Sequence, residues 1–167
     1  ITTNGVSVAV GLTINAPSGT YTLTDNFTMD STKTLTFTAG TFDTGGFDVS
    51  TGLFSMNNSN TRTLNLNDST WTLTGTGTVW HGGSLTGITV NAGTSTILVS
   101  NTSTTAKTVT SSTSSGSVTD QATLDTHPLL NIVATHPDTG GVVTFSGNRI
   151  AHLYVAHSGS SAGVSVS

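Results

Sequence analysis

All eight carboxylates of this chain are aspartates: Asp25, Asp30, Asp43, Asp48, Asp68, Asp120, Asp125 and Asp138. Glycoside cleavage needs two carboxyl groups facing one bond, one to donate a proton and one to act as base or nucleophile. Asp43 and Asp48 fall on neighbouring short strand segments around the turn Gly45-Gly46, and Asp68 follows one repeat later. These three are the candidates for such a pair. The plainer reading is that each marks a turn, where aspartate bonds its own backbone. With so few acids, and no glutamate at all, the sequence favours turns over catalysis and the chain is expected not to be an enzyme.

The other reactive types are equally sparse. His81, His127, His136, His152 and His157 contain no His-x-His or His-x-x-x-His pair. The repeated Thr126-His127-Pro128 and Thr135-His136-Pro137 could bring two imidazoles to a common edge or a threefold axis, against the alternative of solvated turn residues. No metal site is assigned. The absence of cysteine excludes disulfides and thiolate sites. Gly75-Thr76-Gly77-Thr78-Val79-Trp80 touches a dinucleotide fingerprint but lacks its third glycine and a following helix, so no cofactor is expected. Trp80 and His81, followed by Gly82-Gly83, read as a loop corner whose ring could stack on a sugar, a possible carbohydrate contact. Alternation places Trp71 inward, beside Leu64 and Leu66. The sequons at Asn26, Asn57, Asn67 and Asn101 carry little weight in a chain so rich in hydroxyls.

The elements that position these residues are strands. Thr occurs 37 times and Ser 22 times, about a third of the 167 residues, while Lys and Arg total four. Branched side chains sit well on a pleated surface, and the residues that favour helices are scarce. The formal net charge of −4 argues against nucleic acid as a partner. No apolar run approaches the roughly 20 residues of a membrane-spanning helix. The chain opens at Ile1 without Met, and its two ends share a texture, which suggests a piece cut from a longer array.

Four stretches repeat one strand and turn: Leu12-Thr13-Ile14-Asn15-Ala16, Leu35-Thr36-Phe37-Thr38-Ala39, Leu64-Asn65-Leu66-Asn67 and Ile88-Thr89-Val90-Asn91-Ala92. Their starts lie 23, 29 and 24 residues apart. A fixed period in the twenties is the sign of a solenoid. Each repeat offers three short strands, such as Leu35-Thr36-Phe37, Thr41-Phe42-Asp43 and Phe47-Asp48-Val49, and the aromatics Tyr21, Phe42 and Trp71 fall at the second of them. The expected fold is all-β, a parallel β-helix or solenoid of short strands, with a β-sandwich or jelly roll as the alternative. About seven coils would make a rod on the order of 30 Å long. The longest interval contains Asn57-Asn58-Ser59-Asn60, which must loop out. Residues 1–100 are read as solenoid repeats, 101–120 as a Ser/Thr-rich loop or linker, and 121–167 as further coils or a cap.

The runs Gly40 through Val49, Ser59 through Leu66, Ser69 through Trp80 and Leu85 through Ile97 resemble the Ser/Thr/Gly-rich repeats of bacteriophage virion surface proteins, of tail-fibre, spike or decoration type. The resemblance covers about residues 12–100, and segment 101–141 departs from it. It is a likeness of repeats and carries no functional residue across. It implies a structural protein of the virion surface serving particle assembly, decoration or host attachment. Its partners would be copies of itself, expected as a homotrimer, other virion proteins and a host-surface glycan. Two further readings remain open: a carbohydrate-active β-helix, lyase or depolymerase, and a bacterial adhesin or extracellular filament subunit at the cell surface.

Overall fold

The computed structural model of the chain describes residues 1–82 and 87–110 and, beyond them, the strands 129–135, 139–146, 149–156 and 161–166. Every strand pairing among them is parallel, which a sandwich of antiparallel strands would not show. The fold is a β-solenoid with three faces. In the first coil β1 (Leu12–Thr22) covers two faces and β2 (Phe27–Thr28) the third. The second coil repeats this with β3 (Thr34–Asp43) and β4 (Val49–Thr51). The third coil divides the first two faces between β5 (Leu53–Ser55) and β6 (Arg62–Asn65), with β7 (Thr70–Leu73) on the third. The fourth follows with β8 (Gly77–His81), β9 (Ile88–Asn91) and β10 (Thr96–Val99).

β11 (Lys107–Thr110) continues the first face on β8, so the segment 101–120 read as a loop contains a strand, while residues 111–120 lie outside the described residues. β12 (Leu129–Thr135), β13 (Thr139–Ser146), β14 (Arg149–Ala156) and β15 (Ser161–Val166) then stack alternately on the third and first faces. Four coils among the described residues are therefore three-sided, rather than the seven expected. Only two residues separate β13 from β14, too few for a strand on the second face between them.

The sequence forms these strands because its period is two. Leu35, Phe37 and Ala39 of β3 point inward and are buried, while Thr34, Thr36 and Thr38 between them face outward, and β7 and β10 repeat the pattern. The centre of the core is aromatic. Trp71 lies 4.7 Å from Phe54, 5.5 Å from Trp80 and 6.1 Å from Phe42 between ring centroids, in edge-on contacts. Its indole N–H donates to Ser69 Oγ at 3.1 Å, and that hydroxyl donates to the Leu66 carbonyl at 2.6 Å.

Trp71 is fully buried, as expected, but not in the expected column. Tyr21 stacks on Phe42 and Phe42 on Leu64, along the second face. Trp71 belongs to the third face, between Val49 and Ile97. The physical reason is Gly40. Its φ of 90° lets β3 round the corner between two faces as one strand, whereas the third coil breaks there. Leu64 therefore stacks on Phe42 and not on Leu35, whose neighbour in the third coil is Phe54.

Trp71→Ala is expected to lower unfolding free energy by about 3–5 kcal/mol, read from denaturant midpoints. In a Trp80→Phe background, Trp71 emission should be blue-shifted and shielded from quencher. Gly75→Ala is also expected to destabilise, because its Cβ would lie 2.6 Å from the Gly52 carbonyl oxygen of the coil beneath.

Candidate functional site

Four of the five described aspartates, Asp25, Asp43, Asp48 and Asp68, lie where the second face turns into the third. Asp43 ends β3, and its carboxylate accepts the Gly45 N–H at 2.8 Å, closing the turn as the aspartate turn reading requires. It also accepts Asn65 Nδ2 at 3.1 Å and Asn67 Nδ2 at 2.7 Å from the coil above. Asn91 Nδ2 donates to Asn65 Oδ1 at 2.8 Å, so Asp43, Asn65 and Asn91 form a side-chain ladder parallel to the backbone one. Asp48 begins a second ladder. Its N–H donates to Asn26 Oδ1 at 3.0 Å, and its Oδ1 accepts the Thr70 N–H at 2.8 Å. Asp43 and Asp48 thus bind turns and neighbouring coils. Asp25 holds the N-terminal segment through the N–H groups of Thr3 and Asn4, and Asp30 closes a turn on Thr32.

The electrostatics run the same way. Burial pulls the Asp43 carboxyl upward, but the Gly45 N–H and the amides of Asn65 and Asn67 together outweigh it and hold it below the ordinary carboxylate range. The Thr3 N–H above all holds Asp25 low, and the Thr32 N–H and hydroxyl do so for Asp30. A general acid working near neutral pH needs a carboxyl displaced upward, the opposite direction. Groups depressed in the folded state bind fewer protons there than in the unfolded chain. Their contribution is complete above the ordinary carboxylate range and is lost as pH falls through the lower folded values.

Trp80 and His81 do not form a sugar platform. The pairing of β8 with β11 slips between Thr108 and Val109, so Thr78 faces Thr108 while Trp80 faces Val109 and Val79 is the extra residue. This bulge turns two consecutive residues inward, and Val79 and Trp80 are both 0% exposed. The Trp80 ring packs 4.8 Å from Phe54. His81 is not at a loop corner: it ends strand β8, half-buried, between Ser55 and Thr110. Among the described residues no group of three metal-ligating side chains occurs. Asp120, Asp125, Asp138, His127, His136 and His157 lie outside the described residues. One pattern escapes the sequence reading: Gly159-Ser160-Ser161-Ala162-Gly163 spells a nucleophile elbow. That motif works as a strand, a sharp turn and a helix, whereas Ser161 and Gly163 both lie within β15.

A groove opens elsewhere, on the corner between the first and second faces, with a volume of about 520 Å³. The strand β3 at Thr38, Gly40 and Thr41 is its floor. One wall is Asn15, Pro17 and Ser18, where the pairing of β1 with β3 shifts twice and Ala16 through Gly19 bulge outward. Pro17 followed by Ser18 at φ 65° has the pattern of a type II turn, at which glycine is the usual second residue. The opposite wall is Asn60, Thr61 and Thr63, the end of the Asn57–Asn60 insertion that was expected to loop out and does.

The insertion is braced rather than loose. Arg62, 1% exposed, donates from Nη1 to the Asn60 carbonyl at 2.7 Å and from Nη2 to the Met56 carbonyl at 2.6 Å. Asn58 Nδ2 donates to the Phe37 carbonyl at 3.0 Å, and its Oδ1 accepts the Asn60 N–H at 3.0 Å. Burial lowers the guanidinium's affinity for its proton. Sequence reasoning singled out the insertion but not the groove, because the bulge at Ala16–Gly19 becomes its other wall only when the coils stack.

Compared with family models, with curated proteins and with solved structures, the chain matches none.

Asp43→Ala is expected to cost about 1–3 kcal/mol at neutral pH, since three donors lose a charged acceptor. The difference from the unaltered chain should shrink as pH falls below the carboxylate range. Urea midpoints across an acid series measure both.

Proposed function

We propose that this chain is a structural virion surface protein of a bacteriophage, a β-rod serving particle assembly, decoration or host attachment. The observation that supports this best is the use of its polar side chains. Asp25, Asp30, Asp43 and Asp48 all accept bonds from turns or from adjoining coils, as structural residues do. The outward side chains form regular columns, such as Thr20, Thr41, Thr63 and Thr89 along the second face. A rod held by ladders needs neither disulfide nor metal for stiffness and presents hydroxyl faces to its surroundings. The resemblance of its repeats to those of phage surface proteins supplies the setting.

The chain works as a homotrimer, in contact with other virion proteins and with a glycan of the host surface. Residues 1–8 run over the end of the first coil, where Val8 bridges to Met29 and the Thr24 N–H reaches the Ile1 carbonyl. Among the described residues no strand pairs with the outer edge of β1, and Val6 and Val10 remain 67% and 66% exposed beside it. Open strand edges invite another chain, and closed symmetry is the rule among oligomers.

Mass spectrometry of purified particles should find the chain as a virion component. Its recovery only from bacterial surface fractions would overturn the proposal in favour of an adhesin. Polysaccharide degradation that disappears in Asp43→Asn or Asp48→Asn would overturn it in favour of an enzyme. Sedimentation at micromolar concentration should give a trimer, and a monomer would remove the assembly part.

A further inference from the structure

We infer that the groove between Ser18 and Asn60 is a binding site for a neutral saccharide. Its volume lies within the range of small-molecule sites, roughly 300–1,000 Å³. Its lining names the chemistry. Asn15, Ser18, Thr38, Thr41, Asn60 and Thr63 supply amides and hydroxyls that both donate and accept, the pairing a sugar hydroxyl requires. Pro17 and the threonine methyls supply apolar surface for the C–H face of a ring. Among the described residues, no charged head group stands at the mouth. Arg62, the one charged residue of the lining, is buried and holds the carbonyls of Met56 and Asn60. A phosphate, a nucleic acid or an acidic sugar would meet no free cation.

The groove is also built, in the sense that the rod departs from its own repeat on both sides of it. Ala16–Gly19 and Met56–Thr61 interrupt the coils, and both border this one space. The insertion wall is held by a buried guanidinium in a chain with only four Lys and Arg. Ser18 stands in a left-handed conformation where glycine would be easier, and it is exposed at the rim. The floor cannot fill the space, because a side chain at Gly40 would place its Cβ 2.1 Å from the Ala16 carbonyl oxygen. Rigid walls are what weak hydrogen bonds to a flexible ligand need, since ordering the site on binding would consume their contribution.

The site deepens the attachment role proposed above and rests on it for the source of the glycan. Binding is measured on the purified chain, so a failure here leaves the virion reading to its own test. Maltotetraose, cellotetraose, chitotetraose and a sialylated tetrasaccharide would be titrated separately to millimolar concentration against the isotope-labelled protein. The expected result is saturable backbone amide shifts confined to 15–19, 38–41 and 60–63 with at least one neutral oligosaccharide. Ser18→Gly with Asn60→Ala should weaken that binding by about tenfold, the loss of one or two hydrogen bonds, with little change in melting temperature because glycine relieves the turn. Absence of saturable shifts with all three neutral sugars would overturn the inference. So would shifts centred on another face, binding of the sialylated sugar alone, or a double variant that binds as well as the unaltered chain.

Discussion

The strand backbone of a three-sided coil depends on the coils above and below it. Leu23 donates to Asp43, Thr44 to Asn65 and Leu66 to Asn91, each to a residue at the same point of the next winding. A parallel strand has no hairpin to close its hydrogen bonds locally, so a coil that leaves the path of its neighbour leaves N–H and C=O groups unpaired. Stacking therefore fixes the corners as firmly as the strands. Gly75 passes over Gly52, and Gly93 at φ 56° passes over Asn67, with no room for a side chain in either place. The core follows from the same constraint, because inward residues must fill the space above the inward residues of the coil below. Trp71 over Val49 and Ile97 over Trp71 are examples.

The same constraint explains why so much chemistry-bearing side chain is structural. At a corner the backbone turns away from its strand, and side-chain acceptors take up the freed N–H groups. Asp43, Asp48, Asp25 and Asp30 do this. Aspartate is short enough to reach its own turn and the next coil at once, which glutamate reaches less readily. Asp43 does both, closing its own turn and holding Asn65 and Asn67 of the next coil. Depressed carboxyl groups are the electrostatic consequence. Among the described residues the buried cations Arg62 and Lys107 act similarly, Arg62 on the carbonyls of an insertion and Lys107 on the Ser103 carbonyl at a corner.

Much of the fold is legible in the sequence, and what is missed has local physical causes. Alternation and turn spacing reveal strands, three faces and a solenoid, and they place Trp71 inside. They misassign the stacking of the third coil, because Gly40 carries β3 round a corner unbroken while Phe54 stands in a strand of only three residues. They misplace Trp80, because a bulge breaks the alternation that identifies inward residues. A slip of pairing is set by the neighbouring strand, and no residue of Val79-Trp80-His81 announces it. Of the candidate acids, Asp43 closes its own turn and Asp48 accepts the Thr70 N–H of the next coil. The groove was hidden because its walls lie more than 40 residues apart in sequence, from Ser18 to Asn60, and meet only through stacking.

A repeat protein divides its residues between two tasks. Those that obey the repeat maintain the ladder, and a departure from it must be supported by bonds of its own. A departure that is merely tolerated tends to be loose and solvent-filled, since nothing in the ladder rewards its order. The insertion at Asn57–Asn60 is different: a buried guanidinium, an amide reaching across to Phe37 and an internal turn hold it in one conformation. The bulge at Ala16–Gly19 carries a proline and a serine at φ 65°, a conformation serine does not favour. Ordering of this kind opposes chain entropy and adds no core. Two such departures facing one space are better explained by what occupies that space than by the stability of the rod. With Asp25, Asp30, Asp43, Asp48 and both indoles serving the scaffold, the proposed specificity rests on hydroxyls and amides set at the places where the coil breaks its own rule.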